Sequence, residues 1–257
     1  MAPTFKTGQC TRVLLNGVDL SPILNDSERS GTADTAETTT YATSSGACTT
    51  DKTYIVGHRD ATISFSGLAD ASTGEVDRTI EAALQSTDQQ YTWGPGGSAV
   101  GDYAVLTRGL ATEFTVTAPA SDVVAVSASV QANLSRGGRW LISPVAATTS
   151  TGAKATQTIG STTTGIASTN GAVLHFHVVA NTTSTGTVVA QHSTDGASWA
   201  DLATFAFSSG VSAARSTVTG TIKEKVRGIV TVKSASAPDP RLALAIAVHP
   251  KPSTGAP

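Results

Sequence analysis

The stretch that decides the fold runs from Asp122 to Leu134 and reads DVVAVSASVQANL. Val124, Val126, Ala128, Val130, Ala132 and Leu134 fall on one parity, and Ser127, Ser129, Gln131 and Asn133 on the other. Successive side chains on a strand point to opposite faces, so this alternation predicts a long, half-buried β-strand. One face packs on a core. The other is polar and uncharged and carries no evident reactive group.

Immediately upstream, Asp102–Pro119 alternates as well. Leu106, Leu110, Phe114 and Val116 share one parity, and Glu113, Thr115 and Thr117 share the other. Ala118–Ser121 reads as the turn between the two segments, so together they predict a long antiparallel hairpin with one apolar and one polar face. Downstream, Arg136-Gly137-Gly138-Arg139 reads as the close of this half of the chain.

Toward the N-terminus, Thr11–Leu15 predicts a strand. Asn16-Gly17 then supplies a two-residue hairpin turn, because both positions must take φ > 0. Val18–Ser21 would return, and Pro22 limits further pairing. Asn25–Lys52 is polar, rich in Gly, Ser and Thr, and without periodicity. It reads as a long loop, either a plain surface loop or one that orders against a neighbouring subunit; its length favours the second. Thr53–His58 and Ala61–Gly67 predict a β pair with Ile63 and Phe65 on the core side, and His58-Arg59-Asp60 reads as a solvated turn between them. Gly74–Ser86 predicts a helix with Ser72 or Thr73 as its cap and Val76, Ile80, Ala83 and Leu84 as its apolar stripe. Gln89–Trp93 is a further strand, followed by a turn at Gly94–Gly97.

Residues 144–171 shift in composition toward Thr, Ser, Ala and Gly, as a linker containing the first strand of a new unit does. Ala172–Ala180, Val188–Ser193, Trp199–Phe207, Val218–Ile222, Lys225–Lys233 and Leu242–Val248 read as short strands separated by turn signals, the pattern of a β-sandwich. The expected fold class is mainly β. An N-terminal sandwich or barrel-forming domain with one helix and a long loop occupies 1–143, a linker and first strand 144–171, and a C-terminal β-sandwich 172–257.

Of the 257 residues, 14% are charged, against roughly 25% in an average soluble domain. The formal net charge is −2 and no Lys/Arg run occurs, which argues against tight binding through phosphate neutralisation. No apolar run approaches the length of a membrane-spanning helix. MAPTFKTGQC lacks the apolar core of a signal peptide, so the chain is expected in the cytoplasm unless an assembly carries it out. In that reducing compartment Cys10 and Cys48 are expected as thiols.

Few groups suggest chemistry. His58-Arg59-Asp60 sets an imidazole beside a carboxylate, but no G-x-S-x-G nucleophile accompanies it. His175 and His177 share a strand face and form either a metal half-site, with His192 or His249 approaching in space, or a pair of polar-face histidines. Ser193–Trp199, an S-x-D-G-x-x-W hairpin, uses Asp195 and Gly196 for its turn. Trp199 then either packs on the sandwich or stands exposed for stacking on sugar rings. No glycine-rich phosphate loop is present. Neither an enzyme nor a cofactor is expected.

The order of features resembles the tail tube (major tail) proteins of long, non-contractile-tailed bacteriophages. It begins with RVLLNGVDLS and continues through AETTTYATSSGACTTDKTYIVG, where Tyr41 and Ala42 stand in place of the family's usual aromatic and Gly. HRDATISFSGLAD, one helix and two long strands follow. AQHSTDGASWADLATF and GTIKEKVRGIVTV are similar to the accessory β-sandwich fused to such proteins in actinobacterial phages. The resemblance implies a structural virion protein of the tail, assembled in the host cytoplasm as stacked homo-hexameric rings whose inner sheets join into one barrel. Its partners would be further copies of itself, a tape measure protein, tail terminator and tip proteins, and double-stranded DNA that passes without being gripped. No membrane partner is implied. The lumen would be lined by Glu113, Thr115, Thr117, Ser127, Ser129, Gln131 and Asn133. Ring-to-ring contacts would involve Met1–Gln9 and a loop carrying Ser27, Glu28, Arg29, Asp34, Glu37, Tyr41, Asp51 and Lys52. The accessory surface would include Asp195 and Trp199. Two other readings stand beside it: a carbohydrate-binding or adhesin-like two-domain β protein, and a capsid decoration protein.

Overall fold

The computed structural model describes residues 8–37, 54–69, 75–84, 86, 88–145, 154–159, 167–233 and 240–249. After a short 3-10 turn at Gly8–Cys10, the first half contains β1 (Arg12–Leu15), β2 (Val18–Asp19), β3 (Leu24–Glu37), β4 (Tyr54–Leu68), α1 (Glu75–Ala83), β5 (Gln89–Gly94), β6 (Tyr103–Thr117) and β7 (Ala125–Ile142). The second half contains β8 (Lys154–Ile159), β9 (Ala172–Ala180), β10 (Gly186–Ser193), β11 (Ala200–Phe207), β12 (Ser212–Val218), β13 (Lys225–Lys233) and β14 (Arg241–Val248). The fold is mainly β, as the alternation and turn chemistry predict. Asn16 and Gly17 take φ of 49° and 96°, the left-handed pair that closes β1 onto β2.

Two sheets form. The larger has ten strands, ordered β12-β9-β14-β7-β6-β5-β1-β2, with β4 joined to β7 and β3 to β4. The smaller is β11-β10-β13-β8. The longest strand, β7, is the spine. Ala125–Gln131 pairs with β4, Arg139–Ile142 pairs with β14, and the opposite edge pairs with β6 along nearly its whole length. Strands from both sides of residue 143 therefore share one main-chain ladder.

Three cores follow. Ile80 and Ala83 of α1 pack with Val13, Leu15, Ile63, Phe65, Ala128 and Val130 on one face of the N-terminal strands. Leu174, Phe176 and Val178 of β9 and Leu242, Leu244 and Ile246 of β14 pack against Val188, Phe205 and Val230 of the smaller sheet. Between these lies a third cluster, Leu14, Ala104, Leu106, Trp140, Val179, Ala243, Ala245 and Ala247, drawn entirely from the large sheet. Its members come from both halves of the strand order, so that sheet curls until the β1–β5 end meets β9 and β12. The alanines of β14 allow this close approach.

Several expectations need correction. Arg136–Arg139 does not close the strand; it lies inside β7. The glycines there mark a close backbone approach, since a Cβ on Gly138 would stand 2.0 Å from the carbonyl oxygen of Ile246. The predicted loop is, from Leu24 to Glu37, the strand β3, held to β4 by twelve register pairs. Nearly every β3 residue past Arg29 is exposed, so no face selects apolar residues and no period appears in the sequence. His58–Asp60 is not a turn but the middle of β4. The apolar parity assigned to β6 also fails, because Thr112 is an extra residue between the pairs Ala111↔Val130 and Glu113↔Ser129. Leu106 and Phe114 thus face opposite sides and enter different cores. A matching bulge at Asn133 moves Leu134 to the face of Gln131. Of the predicted helical stripe, Ile80 and Ala83 are buried and Leu84 is 40% exposed. The strand predicted at Val218–Ile222 is displaced to Ser212–Val218, and Ile222 instead makes an isolated bridge with Ser168.

Candidate functional site

The surface that stands out is the open end of the large sheet, where β3, β4, β7 and β6 lie side by side. Cross-strand partners share a face, so register alone assembles its polar rows. One row reads Asp26, Ser66, Ser127, Thr115, and the next reads Glu28, Ser64, Ser129, Glu113. Thr62 and Gln131 continue it, with Thr62 Oγ1 3.5 Å from Gln131 Oε1 and the Gln131 amide donating to Asp60 Oδ1. Residues of the opposite parity, Ile63, Phe65, Ala128 and Val130, are buried beneath. The result is a wall of hydroxyls with four carboxylates, Asp26, Glu28, Asp60 and Glu113, and no Lys or Arg in its paired rows.

Both edges of this four-stranded patch are unpaired among the described residues. β3 pairs with β4 alone. On the other side, β5 pairs with β6 only over Val105–Gly109, which leaves the Leu110–Thr117 edge free. Such edges carry rows of unsatisfied backbone donors and acceptors and are templates for another strand. Beyond Ala61, β4 no longer pairs with β7, so Tyr54–Asp60 and its β3 partners run past the β7 ladder by about 20 Å.

Of the residues predicted to line a lumen, Glu113, Thr115, Ser127, Ser129 and Gln131 fall on this one wall. Thr117 extends it at the β6 end, opposite Ala125, and Asn133 is the bulge residue at the other end. Sequence reasoning missed Asp26, Ser64 and Ser66. The alternation of Ser64 and Ser66 with Ile63 and Phe65 was the available signal for two of them. Of the residues assigned to an inter-ring loop, Ser27 and Arg29 are tied to the body: Trp93 Nε1 donates to Ser27 Oγ at 3.0 Å, and Arg29 Nε donates to Ser135 Oγ at 2.9 Å. Glu28 lies on the polar wall, and Asp34 and Glu37 are exposed on the outer run of β3. Tyr41, Asp51, Lys52 and Cys48 lie outside the described residues. Cys10 is an exposed thiol.

The remaining candidates resolve locally. Asp195 accepts from the backbone N–H of Ser198, from Ser193 Oγ and from the backbone N–H of Ala197, and these bonds hold its carboxyl well below the usual range. Trp199 Nε1 donates to Gly196 O, and the Arg227 guanidinium sits 4.1 Å above the Trp199 ring, covering one of the faces a sugar would need. His175 and His177 are buried between the two halves of the large sheet. His192 instead accepts from the N–H of Lys223. Among the described residues no three His, Cys, Asp or Glu side chains gather as metal ligands would.

No protein-family model matches the chain, and no curated protein sequence matches it. Several solved structures align with the chain, three of them as follows. A chain of the native gene transfer agent virion gives a TM-score of 0.37 at 16% identity, over 51% of this chain and 95% of the other. The tube-terminating cap of the anti-feeding prophage gives 0.40 at 11% identity, over 54% and 95%. The Dit hub protein of phage SPP1 gives 0.35 at 14% identity, over 93% and 98%.

Proposed function

We propose that this chain is a non-catalytic structural subunit of a phage tail, in which copies join edge to edge into hexameric rings that stack into a tube. The observation that carries this reading is the four-stranded patch with two free edges and a polar wall whose rows from Thr115–Ser127 to Gln131 hold no basic side chain, Arg108 coming to that face only in the next row. Pairing the free β3 edge of one copy with the free Leu110–Thr117 edge of β6 in the next satisfies both, and closure of the ring leaves the patch without a free edge. The wall then faces the lumen. DNA slides past hydroxyls and carboxylates, whereas Lys or Arg there would hold its phosphates. The part of β3–β4 beyond the β7 ladder is placed to reach the next ring. The order of sequence motifs supports the same assignment, with the virion tail as location and tape measure, terminator and tip proteins as partners.

Negative-stain microscopy of the purified chain, with and without tail initiator proteins, tests it. Rings or tubes are expected. Proline is then scanned through Phe114–Val116. At the position whose N–H points away from β7, proline leaves the monomer folded but removes a donor needed by the neighbouring copy, so tubes disappear. A wild-type chain that stays monomeric at high concentration in both conditions, or tubes from every proline variant, overturns the reading.

A further inference from the structure

The curl of the large sheet is closed by a buried hydrogen-bond chain. His175 is 1% exposed and His177 0%. The backbone N–H of Gly17, in the β1–β2 turn, donates to His177 Nδ1 at 3.1 Å. That nitrogen is therefore the lone-pair nitrogen, and the proton of the ring sits on Nε2. His177 Nε2 lies 2.8 Å from Thr92 Oγ1 on β5 and donates to it. Thr92 is left to give its own hydrogen to His175 Nδ1, 3.1 Å away. His175 in turn is bonded to the Tyr91 backbone. Beside this chain, Gln90 Nε2 donates to the carbonyls of Phe176 and Ala214, both at 3.2 Å. Gly17 is required at its place, because a Cβ there would stand 2.5 Å from the Ser212 carbonyl oxygen.

Each donor of the ring-to-ring chain then has one acceptor and both rings are neutral, while the Gln90 amide, 3.3 Å from His177 Nε2, places its two hydrogens on the two carbonyls. We infer that this seam, where β1 and β5 meet β9 and β12, is an acid-labile closure: a proton added to His177 opens it and frees the C-terminal strands from the N-terminal half. A proton on His177 Nδ1 would point at the Gly17 N–H, a backbone donor that cannot turn round. The charged groups facing the pair make its protonation harder still. Arg215 on β12 lies opposite His175 in the strand register, and its positive charge opposes a second one on that ring. Arg215 and Arg108 of β6 are themselves held by Asp88, at 2.6 and 2.5 Å. The residues facing the pair from β14, Ala243 and Ala245, offer no countercharge. Burial holds His175 down to about 3 and His177 well below its ordinary value. The open state binds protons that the closed state refuses. Closure is therefore fully stable above about pH 6.5 and weakens as pH falls below it. The three register pairs of β14 with β7 remain as the hinge.

Hydrogen exchange of the intact chain, corrected for intrinsic rates, is compared between neutral pH and about pH 5. Each histidine raises the open fraction by about 30-fold over that interval. The two together multiply to several hundred-fold or more, roughly the square of the single-site factor, and segments 89–94 and 172–180 are expected to lose protection on that order while 225–233, in the smaller sheet, holds. His177→Asn keeps an acceptor near Gly17 and cannot take a proton, so its pH response shrinks accordingly. Equal loss in all three segments, no loss by about pH 5, or an unchanged response in His177→Asn overturns the inference. Should that variant not fold, nitrogen chemical shifts of the wild-type rings decide. Two neutral Nε2–H rings at neutral pH are expected, and a charged ring or an Nδ1–H tautomer refutes the closure.

Discussion

The two ends of β7 live under opposite rules. From Ala125 to Gln131, buried Val126, Ala128 and Val130 alternate with exposed or half-exposed Ser127, Ser129 and Gln131. From Trp140 to Ile142 every residue is buried, because Trp140 faces the interior of the curled sheet while Leu141 and Ile142 join the core against the smaller sheet. One strand thus passes from a half-solvated wall into a layer covered on both faces. The same contrast separates β3, exposed almost throughout, from β9, buried almost throughout. Stability is concentrated at the closed end, where apolar area leaves water on both sides of the sheet. The open end keeps polar groups and free edges that cost little in a monomer and are useful to an assembly.

Truncation at matched aromatics breaks this comparison most directly. Phe176 is 1% exposed and stacks on Phe205 with ring centroids 5.3 Å apart. Phe114, at the open end, is only half-buried. Denaturant unfolding of Phe176→Ala should show a loss of about 3–5 kcal/mol. Phe114→Ala should lose about 1–2 kcal/mol. Equal losses would mean that the open end is packed as tightly as the closed one, and that the contrast is wrong.

The sequence was most legible where one face of a strand is buried and the other wet. Ser127–Gln131, Ile63 with Phe65, and the Asn16-Gly17 turn all carry period or turn chemistry that survives in the fold. It was least legible at the extremes. Leu24–Glu37 has no buried face past Arg29, so nothing marked it as a strand, and its state is imposed by the ladder to β4. Thr112 and Asn133 are bulges, which shift every later residue by one face, and no local residue pattern announces them. The wall on β6 and β7 was therefore readable, whereas its extension onto β3 was not. The role of His175 and His177 was hidden for another reason: their partners Gly17 and Thr92 lie far away in the chain.

Between the two ends, Gly138 tests how closely the halves are joined. It pairs with Ala104 of β6 on one edge of β7 and, on the other, lies between the end of the β4 ladder at Gln131 and the start of the β14 ladder at Arg139, and an added methyl would strike the Ile246 carbonyl. Gly138→Ala should lower the unfolding midpoint by the equivalent of about 1–3 kcal/mol. Exchange protection should fall first in 241–248, the strand that has to move. If 89–94 opens first instead, the buried histidine seam is the weaker joint even with the β14 hinge strained.

The smallest effect on stability is expected at the wall, and there stability and use part company. Ser127 and Ser129 lie in rows with Asp26, Glu28 and Glu113, so lysines at those two positions meet carboxylates and remain solvated. Ser127→Lys with Ser129→Lys should leave the unfolding free energy within about 0.5 kcal/mol of wild type. Under the proposed function the same pair places two cations per subunit in the lumen, and these repeat around every ring and up the tube. Each neutralised phosphate strengthens binding and makes it salt-dependent. Particles carrying the pair should assemble with normal tails but eject DNA slowly, with partial recovery at higher salt. Normal ejection from correctly built tails would place the wall outside the lumen, even if the chain still forms tubes.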